Sequence, residues 1–218
     1  MNEKEFTPAL GHRFLTPVYD LAVGLLTREQ LWRTELLEII DPKPGDRILD
    51  VGCGTGSLVA QLSCIEPEAE IVALDPDPDV LEIARRKAEK SGANVRWENG
   101  FLDRKMAQKI GHFSKVVSSL VLHQTAVDEK RSILSAMHSV LAQEGQLYIA
   151  DYGLQRTRLM RMLFRVTVQL VDGVRDTQPN ADGCLPGVIE AAGFFRVEET
   201  NVISTATGSI SLYRASME

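Results

Sequence analysis

The chain has 218 residues, 44% apolar and 25% charged, with a formal net charge of −6. These globular proportions exclude disorder as the main state, and a chain this long buries roughly 70% of its unfolded surface without needing a disulfide or metal staple. The acidic balance excludes a broad phosphate-tracking surface, so no nucleic-acid partner is expected and only local basic patches remain.

Residues 1–13 are polar and mixed in charge, unlike a secretion signal, and no stretch approaches the 18 or so uncharged apolar residues of a membrane span. A helical arm is expected over residues 16–40, carrying Pro17, Tyr19, Trp32 and a run of leucines. From residue 46 to 151 short apolar runs alternate with amphipathic stretches. Arg47–Val51 (RILDV) reads as a first strand, 56–63 as a helix and Glu70–Asp75 (EIVALD) as a second strand. Over 79–90 a helix places Val80, Leu81, Ile83, Ala84 and Ala88 inward and Arg85, Arg86, Lys87 and Glu89 toward water. Strands are expected at 94–98, 115–122 and 146–150, with a helix over 128–142 between the last two. An interruption at 154–182 holds five Arg and three Asp, with Arg158, Arg161 and Arg165 in a row on a helix expected over 157–171. The arginine row reads as a solvated helix face; the alternative, given the apolar face opposite (Leu159, Met162, Leu163, Val166), is a lid over a pocket that meets an anionic or lipid-like acceptor or makes transient contact with a membrane surface. A helix at 186–192 and β-like runs at 195–203 and 209–215 follow, the last two as an edge hairpin.

This alternation specifies an α/β fold: a Rossmann-like three-layer sandwich around a mostly parallel seven-stranded sheet with an antiparallel edge hairpin. The chain divides into a helical arm (1–44), a cofactor-binding core (45–153), an acceptor-side insert (154–183) and a C-terminal helix with edge strands (184–218), all in one domain. In such sheets ligands bind at the carboxyl ends of strands, where strand order reverses.

The most informative segment is Asp50-Val51-Gly52-Cys53-Gly54-Thr55-Gly56, which follows a strand and opens a helix. Glycines there let a ligand approach backbone N–H groups at a helix start. Dinucleotide sites use GxGxxG, whose third glycine would fall where Ser57 stands, and no Walker lysine follows. Asp75 ends the second strand, 23 residues beyond Gly52, where a carboxylate accepts from both ribose hydroxyls and disfavours a 2′-phosphate. The expected ligand is therefore a nucleoside-type cofactor with no diphosphate demand; NAD remains a rival that the missing third glycine opposes. Cys53 has no basic neighbour in sequence and reads as a small residue that fits, not a reactive thiol.

ILDVGCGTG (48–56), ALDPDPDVLEIARRKA (73–88) and SSLVLHQ (118–124) together resemble class I S-adenosylmethionine-dependent methyltransferases, over roughly residues 45–151. FLTPVYDLAVGL (14–25) also resembles the N-terminal segment of the ubiquinone/menaquinone-biosynthesis C-methyltransferases. The resemblance implies S-adenosyl-L-methionine as cofactor and S-adenosyl-L-homocysteine as product. It implies Gly52, Gly54 and Thr55 at the methionine part, Asp75 at the ribose, Phe101 and Leu102 flanking the adenine, Ser119 near the methionine amino group, and Cys53 and Pro76 as further cofactor-binding residues. Phe101 stands where the family often has an acid, a contact that Asp103 is placed to supply.

His123 follows the fourth strand on the side where the methyl group is presented, and is the candidate general base or orienting group. Its competing role is a hydrogen-bonded structural histidine. Tyr152, after the fifth strand, is a further pocket candidate. Methyl transfer from a sulfonium neutralises charge, so catalysis rests mainly on holding donor and acceptor in line at about 3–3.5 Å. The chain lacks the Asn/Asp-Pro-Pro-aromatic stretch of base amino-methylation and the Pro-Cys pair of the cytosine C5 route. The expected reaction is methyl transfer to a small-molecule or lipid-like acceptor, the alternative being a non-catalytic binder of the cofactor. With cysteines only at 53, 64 and 184, a reduced cytoplasmic protein, monomer or homodimer, is expected.

Overall fold

The computed structural model describes residues 26–91 and 95–217. Seven strands form one sheet in the order β3-β2-β1-β4-β5-β7-β6: β1 Arg47–Val51, β2 Glu70–Asp75, β3 Val95–Asn99, β4 Phe113–Ser119, β5 Leu141–Tyr152, β6 Phe195–Thr205 and β7 Gly208–Ser216. β1 to β5 pair in parallel, while β7 runs antiparallel to β5 and to the edge strand β6. The expected α/β class, strand count and edge hairpin are all present.

Alternation along buried strands separates two apolar layers. Ile48, Ile71, Ala73, Val117 and Tyr148 face one side, packing with Trp32 and Leu36 of α1 (Glu29–Ile40), Leu58 and Leu62 of α2 (Ser57–Ile65) and Leu81 of α3 (Pro78–Ser91). Leu49, Val72, Leu74, Val116 and Leu147 face the other, against Ile110 of α4 (Arg104–Ile110), Leu134 and Met137 of α5 (Val127–Ser139) and Leu185 and Ile189 of α9 (Leu185–Ala191). The chain leaves β1 toward β2 and β3 on one side and resumes at β4 on the other. The crevice between the carboxyl ends of β1 and β4 is thus the switch point.

Several boundaries differ from the periodicity. β4 ends at Ser119 because Leu120 takes a left-handed conformation (φ 56°), turning the chain into a short 3₁₀ segment, Leu122–Gln124. Helix α4 was not anticipated; it has only seven residues and is set by the Asp103 cap, whose Oδ1 accepts from Met106 N–H at 2.7 Å. The single insert helix expected at 157–171 is two, α6 Arg158–Val166 and α7 Val168–Asp172, and a third that was not expected, α8 Val174–Ala181, follows them. Thr167 breaks the first pair (φ −115°, ψ −78°), its hydroxyl donating back to Leu163 O at 2.7 Å, and Gly173 (φ 83°) breaks the second. Of the N-terminal arm, α1 is seen; Pro17 and Tyr19 lie outside the described residues.

The insert is held to the sheet by buried polar ties. Asn180 Nδ2 donates to Tyr152 O (2.8 Å), Gln155 N–H donates to Ala181 O (3.0 Å), and the fully buried Lys130 of α5 donates to Asp176 O (3.0 Å) and to Thr125 O. Removing the ammonium orphans two carbonyls, so Lys130→Met should cost about 1–3 kcal/mol. Urea unfolding should show this as a lower midpoint, and an unshifted midpoint would refute the tie.

Candidate active site

The glycine loop bends because Gly52 and Cys53 N–H both donate to Leu74 O, at 2.8 and 3.1 Å, at the end of the neighbouring strand. Gly52 has φ 75°, and a Cβ there would collide with Cγ2 of Val121, so this glycine is required by the turn after β4. Gly54 differs: φ is 53°, and nothing stands within 4 Å of where a Cβ would project. The open side of the loop is at Gly54. A cavity of about 480 Å³ lies there, lined by Gly52, Cys53, Gly54, Thr55 and Ser57 of the loop, Ser119 and Leu120 after β4, Glu29, Trp32 and Arg33 of α1, and Lys87 of α3.

Asp75 anchors the loop from β2. One carboxylate oxygen accepts from Gly54 N–H and the other from Asp77 N–H, each at 2.9 Å. Its pKa is raised, burial outweighing both hydrogen bonds. A carboxylate has about four lone-pair sites, so two remain for a ligand. Asn99, at the end of β3, steadies the turn by donating to Asp75 O (3.1 Å) and Pro76 O (3.0 Å).

Asp50, beneath the loop on β1, is the least satisfied group of the site. It is fully buried, and neither carboxylate oxygen has a hydrogen-bond partner among the described residues. Burial pushes its pKa up to about 7; the Arg33 charge opposes this and Asp75 adds to it. An ionised carboxylate so placed is strongly disfavoured unless a cation arrives. Burial, with the Asp50 charge adding to it, likewise pushes the Cys53 thiol up, so Cys53 is no nucleophile and serves as a small lining residue.

Two cations of this cavity were not legible in the sequence. Lys87, expected to face water, instead crosses from α3 to donate to Ser57 Oγ (2.9 Å) and Thr55 Oγ1 (3.3 Å). Arg33 sits on α1 one turn after Glu29, with which it pairs, and lies 4.9 Å above the Trp32 ring. Ile83, expected inward, is 37% exposed.

His123 is brought to the same end of the sheet but does not line this cavity. Its Nδ1 lies 2.7 Å from Asp151 Oδ1 and its Nε2 3.5 Å from Asp172 Oδ2. Burial opposes the imidazolium, but Asp151 and then Asp172 outweigh it, raising the pKa to about 9. At neutral pH the ring is therefore a charged bridge between β5 and the insert, with no free nitrogen to act as a base. Asp151 is the hub the sequence did not reveal. Its carboxylate also accepts from the backbone N–H groups of Leu122 (2.6 Å), His123 (3.3 Å) and Tyr152 (2.7 Å).

The remaining candidates scatter. Phe101 is 50% exposed beyond β3, and Leu102 packs on the α4–α5 side of the sheet; neither lines the cavity. Asp103 spends its carboxylate capping α4. Tyr152 is buried, its hydroxyl 2.7 Å from Thr207 Oγ1 and its ring 5.0 Å from His123, so it belongs to the core under the insert. The expected apolar lid face is not over a pocket: Leu159, Met162 and Val166 point to solvent.

Comparison with known proteins agrees with this geometry. The methyltransferase domain family profile matches residues 48–145. A demethylmenaquinone methyltransferase of Thermus thermophilus is 33% identical, over 72% of this chain and 71% of its own length. A ubiquinone/menaquinone biosynthesis C-methyltransferase of Stutzerimonas stutzeri is 26% identical, over 90% of this chain and 83% of its own. Among solved structures, magnesium protoporphyrin IX methyltransferase of Synechocystis with bound S-adenosyl-homocysteine shares the fold, with a TM-score of 0.69, 22% identity, and coverage of 96% of this chain and 90% of that one.

Both shifted groups tie stability to pH. Asp50 has a folded pKa above its unfolded value, so its contribution is present in acid and lost as pH rises through about 7. His123 is raised likewise, and its contribution, full below about pH 6.5, is lost as pH rises through about 9. Thermal melts of the ligand-free protein should therefore fall from pH 5 to pH 10. Asp50→Asn should flatten the neutral part and melt higher than wild type at pH 8, and His123→Gln should flatten the alkaline part. A variant that keeps the wild-type slope in its range would remove that group from the account.

Proposed function

The chain belongs to the class I S-adenosyl-L-methionine-dependent methyltransferases of the small-molecule type, and we propose that its acceptor is an apolar, electron-rich ring of the hydroquinone kind. The observation that carries this reading is that His123 Nδ1 is hydrogen-bonded to Asp151 while its Nε2 faces Asp172 at ion-pair distance, 3.5 Å. An acceptor that needs a strong base to strip its proton is poorly matched to such a site. A hydroquinone ionises to a phenolate whose ring carbon is already nucleophilic. The printed names of the two relatives, a demethylmenaquinone and a ubiquinone/menaquinone methyltransferase, support the same acceptor class.

The cavity fits the cofactor. Its volume is in the range of small-ligand sites, and it joins an open glycine loop to two cations; the orphaned carboxylate of Asp50 lies buried beneath that loop, outside the lining. In this reading Asp50 meets the ammonium of the methionine part, and Arg33 and Lys87 its carboxylate, with Ser119 nearby. Gly52, Cys53, Gly54 and Thr55 shape the walls, and Asp75, with Pro76 beside it, holds the ribose hydroxyls through its two spare lone pairs. Phe101 and Leu102, expected at the adenine, lie outside this cavity.

When bound, the cofactor supplies an electrophilic methyl group on a sulfonium. The residues around it would hold the acceptor's ring carbon in line with that methyl group; on transfer the S–C electron pair would stay with sulfur and the ring proton would pass to water. The chain's part is orientation and exclusion of water, with no new net charge to stabilise. His123 is a positioning residue here, fixing the insert against the ends of β4 and β5.

Calorimetric titration should find S-adenosylmethionine binding weakened by roughly 1.5–3 kcal/mol in Asp75→Ala and in Asp50→Asn, the worth of charged hydrogen bonds. Unchanged affinity in either variant would end that residue's role. A short-chain reduced naphthoquinone should release S-adenosylhomocysteine and gain a ring-carbon methyl. Intact cofactor binding with no turnover of any reduced quinone would overturn the acceptor. His123→Gln should lower kcat about tenfold while keeping the shape of its pH profile; loss of a profile limb would restore His123 as a base.

A further inference from the structure

The outward surface of the insert has the reverse of the ordinary surface-helix pattern. In α6 the inward residue is Phe164, buried against the sheet. At about 100° per residue, Leu159, Met162 and Val166 all fall within about 40° of the direction opposite Phe164. They are 56%, 54% and 56% exposed. The next two helices extend the pattern: Leu170 and Val171 of α7 are 80% and 69% exposed, and Val174 of α8 is 56% exposed. Six large apolar side chains thus face outward between residues 159 and 174, although a solvated helix would place its polar residues there.

The charges around them are mainly positive, the nearest acids being Asp176, which follows Arg175, and Asp182, which pairs with Arg161. Arg158, Arg161 and Arg165 run along one flank of α6, and Arg175 follows Val174. Arg161 is engaged with Gln155 O (2.9 Å) and Asp182 (3.3 Å). Arg158, Arg165 and Arg175 make no ion pair among the described residues. From 157 to 175 the exposed side chains include no carboxylate; Asp172, the one acid in that stretch, is turned inward to His123. This local positive fringe stands out on a chain of net charge −6. A second copy packed face to face on this surface would oppose arginine to arginine.

We propose that α6, α7 and the start of α8 form a surface by which the protein lies on an anionic phospholipid bilayer. The six apolar side chains enter the boundary between headgroups and acyl chains, and Arg158, Arg165 and Arg175 meet lipid phosphates. The surface is in the plane of the membrane and spans nothing; no described helix is long and apolar enough to cross. The inference is independent of the acceptor, since it rests on the outer face of the insert and not on the cavity.

Flotation of the full chain with vesicles tests it, using phosphatidylcholine alone and phosphatidylcholine mixed with phosphatidylglycerol. Wild type should float with the mixed vesicles, less so at high salt, and little with phosphatidylcholine alone. Arg158→Gln and Arg165→Gln should each lower the partition coefficient about fivefold. Met162→Glu combined with Val166→Glu should abolish it. All four residues are exposed, so melting temperatures should match wild type and exclude unfolding as the cause. Wild type that does not float, or a double variant that floats as well as wild type, overturns the proposal. So does a dimer in sedimentation that Met162→Glu disperses while no vesicle is bound, which would assign this face to a second copy. The same holds for binding to phosphatidylcholine alone that equals binding to the mixture.

Discussion

Two carboxylates held out of water at the ends of adjacent strands govern this site. Asp50 and Asp75 are both buried; desolvation raises the pKa of each, and the Asp75 charge adds to the rise at Asp50. Asp75 recovers part of that cost through two backbone donors, Gly54 and Asp77. Asp50 recovers none from hydrogen bonds and is relieved only by the Arg33 charge. A fold does not stabilise itself by such an arrangement. It is a cost of the ligand-free state, and under the proposed binding mode the ammonium of the cofactor's methionine part would relieve it.

The constraint also explains the loop around it. Gly52 is needed because the chain after β4 returns tightly over β1, placing Val121 where a side chain would project. Leu120 accepts a left-handed backbone for the same return. Strain of this kind persists only where its surroundings enforce it. Here the enforcement comes from Asp151, which gathers the N–H groups of Leu122 and His123 into one carboxylate. The turn that backs the cofactor loop and the ring that ties down the insert are thus fixed by one residue at the end of β5.

What was legible in the sequence follows from how local the signal is. The alternation of strands and helices, the strand-to-helix turn at the glycine loop and the place of Asp75 at the end of β2 are patterns within a few residues or one βαβ unit, and the structure has all three. Lys87 was misread because helical periodicity places it on the polar face. Periodicity does not say that the N-terminal turn of α2 stands beside that face, offering the Thr55 and Ser57 hydroxyls. His123 was placed at the right strand end, yet its state depends on Asp151 and Asp172, 28 and 49 residues later in the chain. The insert helix was read as continuous because Thr167 is compatible with a helix by propensity. It breaks there through a tertiary contact, its hydroxyl being shared between Leu163 O and Thr207 O (3.4 Å).

The two faces of the insert obey opposite rules. Its inner face is tied by buried polar groups, Asn180, Lys130 and the His123 bridge, each of which needs one specific geometry to be satisfied. Its outer face is apolar and needs no geometry at all, only removal from water. A segment built in this way tolerates sliding on whatever it meets outside while keeping its register inside. That division would let the outer face of the insert meet a surface outside without disturbing the positions of Tyr152 and His123 beneath it.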